Sequence, residues 1–214
     1  MNGKANGSVL VCFAVKEEAA PFLRALPAGV ETLITGMGAA AAERALLPRL
    51  SGRNWECVLT CGFAGGLNPA LRPETVVFDA DENFPLRQGL VEAGAVAVRF
   101  HCVERVVVSS YEKAVLSERT GADAVEMESG VIRRLCSERG IPSATVRVIS
   151  DASHEDLPLD FNALMKADGK LNFARLAGAV LRRPKKIPAL MALGKRSKSA
   201  AKRLASVLRA VLAR

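Results

Sequence analysis

The sequence predicts a single α/β domain whose sheet is covered by helices on both faces. Runs of five to eight residues, apolar along their whole length, alternate with segments of helical periodicity. Strands lose the usual apolar–polar alternation when both faces of a sheet are buried. A length of 214 residues suffices for one domain with a full core.

The elements follow in order. "SVLVCFAV" (8–15) predicts a buried strand, and "KEEAAPFLRAL" (16–26) a helix after it. "VETLIT" (30–35) is a second strand, and "GMG" leads into an alanine-rich helix over 39–50. "ECVLTCG" (56–62) is a third strand, ending in the turn "GFAGGL". "ETVVF" (74–78) and "VERVVVS" (103–109) predict two more strands. "SYEKAVLSERTG" (110–121) reads as a short helix closed by Gly121, and a further helix spans 127–139. Gly140 and Pro142 stop it, and "SATVRVIS" (143–150) is the next strand. Residues 172–183 predict a closing helix, so the α/β domain is assigned to 1–183 and a helical tail to 184–214.

Charge is distributed unevenly. The net charge is +8, yet residues 182–214 hold eleven Lys or Arg and no acid, which leaves 19 basic against 22 acidic residues before them. The body is therefore slightly acidic and the tail strongly basic. Five scattered cysteines without a CxxC pair suit buried thiols in a reducing cytoplasm. The two histidines, His101 and His154, have no partner at metal-ligand spacing, so no metal site is expected. No secretory leader pattern and no membrane-length apolar run is present.

Ligands of such sheets bind beyond the carboxyl ends of the strands. The segments there are "KEE" (16–18), "TGMG" (35–38), "GFAGG" (62–66) and "SDAS" (150–153). Glycines admit close backbone approach, and acids occupy the other two segments. "DAVEMESG" (123–130) adds Glu126 and Glu128 in apolar surroundings.

Taken together, these segments resemble the nucleoside phosphorylase/nucleosidase superfamily over most of 8–155. "FAVKEEAAPF", "LITGMGAAAAERAL", "TCGFAGGLNPALRPETVVF" and "GADAVEMESGVIRRLCSERGIPSATVRVISDAS" occur in the family's order. Methylthioadenosine/S-adenosylhomocysteine nucleosidases are among its members. A narrower likeness is to the short hopanoid-associated phosphorylases, the adenosylhopane nucleosidases. It rests on "GFAGGLNPALRP", "EKAVLSERTGADAVEMES" and the stretch from "DLPLDFNALMK" into the tail. The resemblance implies a mixed central sheet flanked by helices, and cleavage of an N-glycosidic bond without a cofactor.

Such cleavage builds positive charge on the ribose and negative charge on the leaving base, much as in glycoside hydrolysis. The leaving purine needs a proton at N7, which a carboxylic acid kept neutral by burial can supply. The family motif places that acid at Asp151, with Ser150 and Arg147 as neighbours that position it. Asp151 alone also suits a turn cap. The "KEEA" match gives the water-activating base to Glu18. Both Glu17 and Glu18 equally suit the first turn of a helix.

Glu128 matches the glutamate that binds the ribose 2′- and 3′-hydroxyls, Met127 the apolar contact to the ribose, and Met37 a contact near the 5′ substituent. Phe63 stands where phosphorolytic members carry a phosphate-binding Ser or Thr, and their phosphate-binding arginines are not recognisable, so water is favoured as nucleophile. Only 45 residues separate "ETVVF" from "AVEME", which trims a segment that contacts the base; Tyr111 or Ser110 is the candidate to replace it. The expected ligand is a 5′-substituted adenosyl nucleoside, with adenosylhopane the specific candidate that the narrower likeness implies. Phosphorolysis and non-catalytic nucleoside binding are the alternatives.

In the tail, Leu204, Val207, Leu208, Val211 and Leu212 share a helical face, with Lys202, Arg203 and Arg209 largely off it. That pattern fits a helix lying on anionic lipid, or one packed on the body or on a partner subunit. The tail lacks interleaved aromatics, so nucleic acid is not an expected partner. The expected location is the cytoplasm, with peripheral contact to the inner membrane face open, and self-association is expected by family analogy.

Overall fold

The computed structural model describes residues 8–164 and 172–213. Its centre is an eight-stranded mixed sheet. Six strands run in the order β2 (Val30–Ile34), β1 (Ser8–Phe13), β3 (Trp55–Gly66), β8 (Ser143–Asp151), β4 (Val76–Ala80) and β5 (Val96–Ala97). β1 pairs in parallel with β2 and β3, and β3 in parallel with β8, whereas β4 runs antiparallel to β8. β6 (Phe100–Cys102) and β7 (Ala124–Glu126) form a short extension attached to β3.

β1 shows why continuous apolar runs mark this sheet. Val9, Val11 and Phe13 enter one core, while Leu10 and Cys12 enter the other. Side chains alternate across a strand, so both parities must be apolar when both faces are covered. One face is covered by α1 (Lys16–Leu23), α3 (Arg87–Glu92) and α8 (Ile187–Leu212), and the other by α2 (Ala39–Leu50) and α5 (Ser129–Ser137). α4 (Ser110–Thr120) ends on Gly121 in the left-handed conformation at φ 63°. α6 (Phe161–Leu164) and α7 (Phe173–Arg182) lead into α8.

Two expectations are corrected, and a third, left open between two alternatives, is resolved. The segment 103–109 is not a strand. The backbone of Val106 exchanges both its hydrogen bonds with the side chain of Asn162, and Leu157 N–H donates to the Val108 carbonyl. Its valines are apolar because Val103, Val106 and Val107 line a cavity.

The turn expected at "GFAGGL" is the continuation of β3, which bends after Ala64 to pair antiparallel with β7. A Cβ at Gly65 would lie 3.2 Å from Val125 Cγ1, and one at Gly66 would lie 3.3 Å from the Asp151 carbonyl oxygen, so glycine permits this close pairing.

The tail stripe is core rather than a lipid face. Leu204, Val207, Leu208, Val211 and Leu212 are buried in the same cluster as Phe13, Phe22 and Phe78. Burying each such side chain contributes about 1.5–3 kcal/mol, so this half of α8 is part of the body. The boundary proposed at 183/184 falls at the turn between α7 and α8.

Candidate active site

The carboxyl ends of β1, β3 and β8 open into a cavity of about 310 Å³. Glu18, Met37, Phe63, Met127, Glu128, Ser150 and Asp151 all line it. Seven of the nine residues singled out from the sequence thus share one wall, although they come from five separate segments.

Glu18 is the third residue of α1 and reaches back over its start. Its Oε2 accepts from Val15 N–H at 3.3 Å and its Oε1 from Phe63 N–H at 2.9 Å. Burial raises the Glu18 carboxyl from 4.5 to about 7. The Arg147 guanidinium and the two N–H donors pull the other way, and the charge of Glu128 adds to the rise.

Arg147 does not line the cavity; it lies beneath it, 1% exposed. Its Nη2 donates to Glu126 Oε2 at 2.5 Å, to Glu128 Oε2 at 3.2 Å and to Thr60 Oγ1 at 3.2 Å. Burial opposes its charge, but Glu126, Glu128 and Glu18 outweigh it and push its pKa up. Gly62 makes room for this arrangement. A Cβ there would lie 2.5 Å from Arg147 Nη1 and 2.8 Å from Glu18 Oε1.

The two glutamates of "DAVEMESG" diverge. Glu126 accepts from Glu128 N–H, Ser129 N–H and Ser129 Oγ at 3.0, 2.9 and 2.6 Å, and so caps the start of α5. Burial opposes its ionisation, yet Arg147 and these donors outweigh burial and hold its pKa down. Glu128 receives Gly38 N–H on Oε1 at 3.0 Å and Arg147 on Oε2. Burial, together with the charge of Glu126, raises its pKa against the pull of Arg147. Gly38 is presented by its φ of 82° just before α2.

Asp151 differs from expectation in its surroundings. Lys113 Nζ lies 2.5 Å from its Oδ2 as an ion pair. Ser150 Oγ is 2.5 Å from its Oδ1 and 3.2 Å from the Ala64 carbonyl. No periodicity or motif singled out Lys113. Its partners lie 38 to 42 positions away, which local sequence does not reveal.

Tyr111 is a correction. It is 77% exposed and borders a separate shallow hollow with Leu67, Pro69 and His154. Two positions along a helix is a rotation of about 200°, so when Lys113 turns inward Tyr111 turns out. Ser110 borders the same hollow. Arg105 lines the main cavity but is bound to Glu112 at 2.5 Å. The remaining wall is apolar, with Val103, Val106, Val107, Leu157, Phe161 and Leu193. Among the described residues no cluster of His, Cys, Asp or Glu is placed to hold a metal ion.

Comparison with known proteins agrees with this picture. Residues 83–182 match the family model described as "Phosphorylase superfamily". A 5′-methylthioadenosine/S-adenosylhomocysteine nucleosidase of Exiguobacterium sp. is 29% identical over 130 residues, covering 57% of this chain and 52% of that protein. The alignment therefore spans about half the length of that relative. The futalosine hydrolase of Helicobacter pylori has the same fold, with a TM-score of 0.66 at 16% identity, covering 98% of both chains. So does the 5′-methylthioadenosine/S-adenosylhomocysteine nucleosidase of Neisseria meningitidis, solved with methylthio-immucillin-A. It has a TM-score of 0.67 at 19% identity, covering 96% of this chain and 98% of that one. A family match over 83–182, a nucleosidase relative and a fold shared along nearly the whole chain agree with the resemblance of this chain to the phosphorylase superfamily.

Proposed function

We propose that this protein hydrolyses the N-glycosidic bond of a 5′-substituted adenosyl nucleoside and releases adenine. The observation that carries the reading is the convergence of Glu18, Glu128 and Asp151 on one cavity. Asp151, flanked by Ser150, serves the leaving base. Glu128, fixed by Gly38 N–H and Arg147, offers a carboxylate to the ribose diol, with Met127 beside the sugar. Glu18 activates water, because a carboxyl near 7 is divided between its two forms at neutral pH and takes a proton readily.

Water is favoured over phosphate on electrostatic grounds. Glu18, Glu126 and Glu128 surround one guanidinium, so a doubly charged anion would meet net negative charge beside Arg147. Arg105, also on the wall, is engaged by Glu112. The apolar wall suits a bulky, hydrophobic 5′ group, and an adenosylhopane-type substrate is the specific form of this proposal.

A lipid-borne substrate would require the enzyme to work at a membrane surface. With the α8 stripe committed to the core, the surface offered is the turn joining α7 to α8. Leu181, Ile187 and Met191 are exposed there among Arg182, Arg183, Lys185 and Lys186. Among the described residues no helix is long and apolar enough to cross a membrane, so the contact would be peripheral.

The test is adenine release from 5′-methylthioadenosine and from 5′-alkyl adenosines, with and without inorganic phosphate. The expected result is a free sugar product at a rate indifferent to phosphate. A strict phosphate requirement with formation of sugar 1-phosphate would replace hydrolysis by phosphorolysis. Full activity in Asp151→Asn would overturn the assigned chemistry.

A further inference from the structure

We propose that Lys113 is a positioning residue for Asp151 and the source of the proton that Asp151 passes to the leaving base. This deepens the reading of Asp151 as the acid and rests on it. Lys113 is fully buried, on a helix otherwise exposed or half-exposed. An ammonium has three hydrogens to place, and a buried one is costly unless they are paired. Here all three find acceptors: Asp151 Oδ2 at 2.5 Å, the Ala152 carbonyl at 2.7 Å and the Glu155 carbonyl at 2.8 Å. Two of these are backbone atoms of the loop that follows β8. They hold Nζ beside the carboxylate, so Nζ keeps two of its three acceptors when the Asp151 side chain is changed. The lysine stem runs past Gly65, where an added Cβ would lie 3.8 Å from Cε.

The lysine has no surface on the cavity, whereas Asp151 and Ser150 do. It therefore acts through Asp151. A carboxylate held against an ammonium has no proton of its own to give, and the nearest one is on Lys113.

The step balances as follows. An N–H bond of Lys113 breaks as an O–H bond forms on Asp151. That carboxyl gives a proton to purine N7 as the C1′–N9 bond breaks, its electron pair leaving with the base. Water adds to C1′ and its proton goes to Glu18. The proton on Glu18 returns through solvent to the neutral amine, and turnover leaves the protein unchanged.

The experiment compares Lys113→Met, Lys113→Gln and Asp151→Asn in the full chain on two substrates. One is 5′-methylthioadenosine, and the other a p-nitrophenyl ribofuranoside, whose phenolate leaves without being protonated. Both lysine variants are expected to lose about 100-fold or more in kcat on the adenosyl substrate, with KM within about 3-fold and hydrolysis of the nitrophenyl riboside within about 5-fold of the parent. Equal losses on both substrates would mean that the lysine only supports the fold, and would overturn the proposal. So would a Lys113→Gln enzyme keeping more than about a tenth of the parent kcat, since glutamine orients the carboxylate but has no acidic proton. An impaired Asp151→Asn beside intact lysine variants would remove the role of Lys113 alone. An intact Asp151→Asn would remove the reading beneath it.

Discussion

Phe63 N–H donates to Glu18 Oε1 at 2.9 Å, across 45 positions of sequence. The bond joins the start of the first helix to the end of the central strand. It also aims the one carboxyl whose pKa is raised to about 7 into the cavity.

Activity should fall with acid through that value. As the proposed water-activating base, Glu18 must be ionised to take a proton, so kcat/KM should fall as pH drops through about 7. Glu128, also raised, adds to the same limb. Glu18→Gln should lower kcat by at least about 100-fold and leave only the part of the limb that Glu128 sets. A pH–rate profile of both proteins decides it.

Stability should run the opposite way. The folded carboxyl titrates near 7 and the unfolded one near 4.5, so the folded state holds its proton more tightly. The contribution is complete below 4.5 and is lost as pH rises through about 7, on the order of 3 kcal/mol. Urea titrations at pH 5 and pH 8 should show the parent losing more stability than Glu18→Gln over this interval.

Gly62→Ala should disable the site and loosen the protein together. The added carbon meets Arg147 Nη1 at 2.5 Å and both Glu18 oxygens under 3.0 Å. Forcing a methyl into a packed interior costs about 1–3 kcal/mol. Denaturation and kcat, measured on one preparation, should both drop. Full activity at unchanged stability would contradict the geometry.

Glu126 and Glu128 should separate cleanly by mutation. Glu126→Ala strips the cap of α5 and the shorter partner of buried Arg147 and should cost about 3–5 kcal/mol. Glu128→Ala should cost less than half of that, because its charge is itself disfavoured by burial, and should chiefly lower kcat/KM. The loss should shrink with 2′-deoxy or 3′-deoxy substrates, which lack a hydroxyl for Glu128 to bind.

The C-terminal helix should divide by position. Leu208→Ala removes a side chain from the main core and should cost about 2–5 kcal/mol. Leu181→Ser and Met191→Ser, both exposed, should leave stability within about 0.5 kcal/mol and reduce sedimentation with anionic vesicles. Equal vesicle binding by these variants and the parent would remove the membrane surface from the proposal.

Much of this was legible in sequence because the relevant forces are local. β1 announced itself through apolar residues on both parities, and the helix at 39–50 through its flanking Gly38 and its alanines. The acids stood out because strand ends and apolar flanks do not call for charge. Other features depend on distant partners. The 103–109 segment carries a strand's composition, but Asn162 takes the hydrogen bonds a neighbouring strand would have taken. Lys113 has ordinary helix neighbours and is special only because the carbonyls of Ala152 and Glu155 fold over it. An amphipathic stripe reveals that a face is covered but not by what, which is why Leu204 and Leu208 fitted a lipid surface as well as a core.

The position of α8 has a consequence for how the protein is made. Leu193 and Ser197 help wall the cavity, Arg196 grips Glu155 at 2.7 Å beside Lys113, and residues 200–212 fill the core behind β8. Synthesis is vectorial and the amino-terminal parts of a chain emerge first. Every acid of the site is thus translated before the helix that encloses it. The cavity is walled only once α8 has been made, and a chain that stopped at residue 199 would carry Glu18, Glu128 and Asp151 but lack the helical layer that fills the core behind β8.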